Sequence, residues 1–68
     1  MPNIIVEINQ EMGRVRALLP RLDSIVRYHA EEILRHAKQS ISQNDYEGMT
    51  DALANLRMFT KEQKGQKS

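Results

Sequence analysis

The sequence has no cysteine and no tryptophan, and only 4% of it is aromatic. Without cysteine, a disulfide scaffold and a thiolate metal site are both excluded. One Phe and two Tyr leave few large side chains to fill a core. No uninterrupted apolar run exceeds three residues, so no segment can cross a bilayer as a helix. The first residues lack the basic start and apolar core of a secretory leader. A cytoplasmic setting with no membrane partner is therefore the expectation. Neither charge sign dominates. Ten Lys+Arg stand against nine Asp+Glu, for a net charge of +1, which removes the compositional argument for nucleic-acid binding. The three glycines are isolated at 13, 48 and 65, so there is no phosphate-cradling loop.

What is present is ordinary for a folded chain: 68 residues, 40% hydrophobic and 28% charged. A chain this short hides a smaller fraction of its surface than a larger domain does. It needs a metal, an unusually well-packed core or a partner chain, and self-association is the simplest supply of the last.

The strongest pattern is a helical stripe. Ile4, Ile8, Met12, Val15, Leu19, Leu22, Val26, Ile33, Ala37 and Ile41 recur at steps of three, four or seven. The mean step is close to the helical period, and the stripe stays on one face. It reads as one long helix over about 3–42, or as two helices sharing a face. Pro20 decides between them. Inside a helix it removes a hydrogen bond and clashes with the carbonyl of Arg16. The unbroken phase favours a helix kinked at Pro20. The alternative stops the first helix near Leu19 and starts a second with Asp23 or Ser24 as N-cap.

Ser40 to Asp45 is polar and rich in turn formers, and Asn44 with Glu47 three residues on approximates a capping box. A last helix is expected over about 45–61, with Tyr46, Met49, Leu53, Leu56 and Phe59 or Thr60 as its apolar face and Tyr46 at the hairpin mouth. Residues 62–68 read as a flexible basic tail outside the single helical domain of 1–61.

Residues 3–8 carry a competing reading, because Asn-Ile-Ile-Val-Glu-Ile is β-branched and can form a short strand. Strand, helix, helix resembles the element order of a ribbon–helix–helix DNA-binding dimer. The resemblance ends there: Glu7 would face phosphates, and the segment has no Lys or Arg. The stretch from Asn44 to Leu53 resembles the second helix of a tetratricopeptide repeat, but a single half-repeat assigns no family.

The expected architecture is thus an all-α antiparallel helical hairpin with a long, Pro20-kinked first helix. In this form the stripe Ile4, Ile8, Met12, Val15, Leu19 and Leu22 has nothing in the chain to cover it. A two-fold pairing of N-terminal helices then makes a homodimer. A turn at Pro20 would instead give a three-helix bundle that covers its own stripe. In that case the partner surface lies around Leu18, Ile25 and Met58, with Phe59 beside them.

Chemistry is sparse. No nucleophile motif, cofactor loop or metal cluster stands out. His29, Glu32 and His36 share one side of a helix, but as a lone trio they read as surface i,i+4 pairs. Arg14, Arg16 and Arg21 could line a basic strip that touches phosphates. By elimination the function is binding, without catalysis and without a cofactor. The concrete form is a small regulatory or inhibitory protein that engages an unidentified protein target through a helical face. Chains of this kind are often encoded by phages, plasmids or secretion operons. A dimeric nucleic-acid-binding regulator and a small secretion chaperone are the alternatives.

Overall fold

The computed structural model describes residues 3–65, which form three α-helices and no strand. Helix α1 spans Ile4–Leu18, α2 spans Ser24–Ser42 and α3 spans Tyr46–Gly65. A single 3₁₀ turn, Leu19–Arg21, follows α1. None of the described helices is long and apolar enough to cross a membrane.

The β-branched start is helical because Asn3 caps it. Its Oδ1 accepts from the Ile5 amide at 2.9 Å, and its carbonyl accepts from Glu7 at 3.1 Å. The strand reading of 3–8 is therefore replaced by the first turns of α1.

At Pro20 the chain turns, and the continuous kinked helix is not what forms. Residue 20 has no amide hydrogen to offer the Arg16 carbonyl, and the Leu19 N–H takes that carbonyl instead. The tightened turn closes with Leu22 N–H on Leu19 O at 3.1 Å. Leu22 and Asp23 are then extended, with ψ of 145° and 172°. Asp23 caps α2 through an Oδ1 that accepts from Val26 at 3.0 Å, and Arg27 Nη2 donates to the stranded Leu22 carbonyl at 3.1 Å.

The second connection is shorter and more fully bonded. Asn44 sits in the left-handed region with φ of 57°. Its N–H donates to Ile41 O at 3.1 Å, and the Asp45 N–H reaches back to Ser40 O at 3.0 Å. These two bonds make a Schellman ending for α2. Asp45 then caps α3, its Oδ1 accepting from Gly48 N–H at 3.1 Å. The N-cap is thus Asp45, one residue beyond the expected Asn44. Asn44 serves instead as the left-handed residue, which its short polar side chain tolerates.

One core joins the three helices. Ile8, Met12 and Val15 enter from α1, and Ala30, Ile33, Leu34 and Ala37 from α2. Met49, Ala52, Leu53, Leu56 and Phe59 enter from α3. Helix α3 packs broadly against both others, while α1 and α2 touch sparingly. The stripe expected at a dimer interface is therefore used inside the chain. Ile8, Met12 and Val15 are buried, and Ile4, Leu19 and Leu22 are half-buried against the core. Tyr46, expected at the hairpin mouth, is 71% exposed. Helix α3 also runs past Lys61, so residues 62–65 are helical where a tail was expected. Residues 66–68 of that tail lie outside the described residues.

Candidate functional site

The break at Pro20 shapes a concavity on one side of the bundle. By ending α1 and setting Leu22 in extended backbone, it leaves a groove between the C-terminal end of α1 and that of α3. The groove has a volume of about 820 Å³. Its apolar floor comes from Ala17, Leu18 and Leu22, and its polar lining from Arg14, Arg21, Thr60, Gln63 and Lys64. The Thr60 hydroxyl donates to Leu56 O at 3.0 Å, so the three cations and Gln63 supply the side-chain donors left to a ligand.

A smaller recess continues along the same helix pair, lined by Glu11, Arg14, Arg57, Thr60, Lys61 and Lys64. Two acids temper this face. Glu7 accepts from Arg57 Nη2 at 2.8 Å, and Glu11 stands 3.5 Å from Arg14 Nη1. The ion pairs among the described residues use neither Arg21, Lys61 nor Lys64. Positive charge therefore rises toward the Arg21–Lys64 end.

The sequence-derived candidates divide across this geometry. Leu18 lies in the groove floor, and Arg14 and Arg21 line its rim. Arg16 does not join them. It lines a shallow recess on the α1–α2 side with Glu31, Leu34, Arg35 and Lys38. Ile25 and Met58 are 81% and 60% exposed, as a partner-surface residue must be. Met58 borders a recess of about 220 Å³ at the α2–α3 seam, with His29, Ile33, Asn55, Phe59 and Glu62. Ile25 stands one turn before His29 on the same flank of α2. Phe59 is only 3% exposed and belongs to the core, so it is withdrawn as a partner contact.

Among the described residues no group of three His, Cys, Asp or Glu side chains could hold an ion. Glu32 accepts from Arg35 Nη1 at 2.8 Å, and the His29 ring tilts against Phe59 at a centroid distance of 6.0 Å.

Sequence reasoning missed Lys64, Gln63 and Ala17 as groove residues. Lys64 and Gln63 were read as tail, and nothing local marks Ala17. Only the placement of α1 beside α3 brings positions some fifty residues apart into one surface.

Compared with protein-family models, with curated proteins and with solved structures, the chain gives no match.

Proposed function

We propose that this chain is a small, non-enzymatic binding protein of the cytoplasm that regulates or inhibits another protein by docking it on a helical face. The docking face is the groove at the C-terminal ends of α1 and α3. The observation that carries this reading is the pairing of an apolar floor, Ala17, Leu18 and Leu22, with Arg21 and Lys64 at its rim, neither of which belongs to an ion pair among the described residues. A solvated helix face needs no such floor. An interface does: apolar contact supplies the affinity, and charge around it sets orientation and encounter rate. The single chain is the working unit, because the stripe that argued for a homodimer is spent on the core.

A photo-reactive phenylalanine analogue at position 17, in the groove, and another at position 39, exposed on α2, test this in the cells that express the protein. A discrete adduct with another protein from position 17, and none from position 39, is the expected result. No adduct from position 17, or the same adducts from both, overturns the reading.

A nucleic-acid partner is the second reading, favoured by Arg14, Arg21 and Lys64 sharing one groove. Its signature is an adduct with nucleic acid and an affinity that falls steeply with salt.

A further inference from the structure

We propose that the groove between α1 and α3 takes an acidic segment of the partner protein, anchored by one bulky apolar side chain. This rests on the protein-binding reading above and adds the chemistry of the partner.

The floor and the rim ask for different things from one ligand. Leu18 and Leu22 are half-buried on either side of the 3₁₀ turn that follows α1. Only an apolar group can take their remaining surface out of water with a gain. Arg21 and Lys64 sit on opposite walls, one on the 3₁₀ turn and one in the last turn of α3, and neither belongs to an ion pair among the described residues. Carboxylates flanking the anchor would meet both walls at once. Arg14 adds a third cation, already leaning on Glu11 at 3.5 Å, a separation loose enough for a competing carboxylate to replace.

Other occupants fit less of this. A nucleic-acid strand would satisfy the rim and leave the apolar floor facing phosphate and sugar. The groove lining holds no aromatic side chain on which a base could stack. A fatty acid would need an acyl channel, and the core behind the groove is closed: Val15, Ala30 and Leu56 are fully buried. Residues 66–68, Gln-Lys-Ser, bring one more cation and no apolar side chain. A second copy could present its acidic α3 start, where Asp45 and Glu47 flank the exposed Tyr46, but that contact is heterologous and would build rings or open chains in place of a closed two-fold pair.

The test is selection of binders to the full-length protein from a random dodecapeptide display library. The enriched peptides are then labelled and titrated by fluorescence anisotropy. Expected winners combine several Asp or Glu with one large apolar residue. Their affinity should fall roughly tenfold with Arg21→Glu and with Lys64→Glu, and fall again as salt rises. Both substitutions are at exposed positions, so unchanged thermal unfolding verifies the fold. Met58→Ser, on the other seam, should leave affinity unchanged. Winners that are neutral or basic, no winners at all, or indifference to Arg21→Glu would overturn the proposal. So would displacement of the winners by a short single-stranded DNA. A mass that grows with concentration and collapses with Arg21→Glu would also overturn it, by showing that a second copy owns the groove. An adduct at position 17 together with non-acidic winners would leave protein binding standing and remove only the acidic partner.

Discussion

The two ends of the bundle are closed by different chemistry. Between α2 and α3, residues 43–45 satisfy one helix end with backbone bonds from Asn44 and Asp45, and Asp45 at once caps the next helix. Ser40 is buried there, and Gly48 presses so close that an added Cβ would stand 2.7 Å from both Ser40 Oγ and Asp45 Oδ2. Between α1 and α2, by contrast, a proline forbids continuation. Residues 19–23 then pass through a 3₁₀ turn and extended backbone, leaving Leu18, Leu19 and Leu22 half-buried. An end closed by reciprocal caps can pack tightly. An end closed by prohibition leaves apolar surface for something else to cover, and the groove lies there.

This contrast can be broken by substitution. Gly48→Val should cost about 2 kcal/mol through overpacking at the tight end, lowering the melting temperature by roughly 8–16 °C. Leu22→Ala at the open end should cost only about 1 kcal/mol, because half of that side chain is already in solvent. Equal losses in thermal unfolding would erase the distinction between the ends. Asn44→Val should cost about 1–2 kcal/mol, since a branched residue is strained at φ of 57°, whereas Asn44→Gly should lose nothing. Urea titration of both variants separates a conformational cause from a lost side-chain contact.

Pro20→Ala should cost less than about 1 kcal/mol by freeing the unfolded chain. It should also raise the fraction of two-chain species in light scattering, because α1 and α2 can then fuse and exchange partners. A strictly single-chain variant would mean that the extended Leu22–Asp23 link, and not Pro20, enforces the turn. Last, Arg21→Glu should change stability by no more than about 0.5 kcal/mol while lowering peptide affinity roughly tenfold, which separates the open end's function from its folding.

The helices themselves were legible in the sequence. Core positions such as Ile8, Met12, Val15, Ile33 and Ala37 follow from period alone, and so does the α2–α3 hairpin. A break near Leu19 with Asp23 as N-cap stood beside the favoured kink, and period could not decide between them, for a physical reason. Each of α1 and α2 must turn one face to α3, so the apolar phase survives a turn between them. Periodicity reports which face is buried, and is silent about whether the helix carrying it is continuous. Leu34 lies off the main stripe and is core because α2 buries a wider arc than a single stripe. Tyr46 was misplaced because apolar spacing in a first turn does not tell whether a neighbour reaches that far. The groove was only half legible. Leu18, Arg14 and Arg21 were marked as candidates, but under separate readings. Lys64, which completes the site, is joined to them only by the parallel placement of α1 and α3.

The arrangement around α3 also governs how the protein is made. The first two helices touch each other sparingly and both lean on the third. During synthesis the faces that α1 and α2 turn toward α3 therefore emerge uncovered, and a nascent chain stalled before Met49 should leave Ile8, Met12, Val15, Ile33 and Ala37 without the helix they pack on.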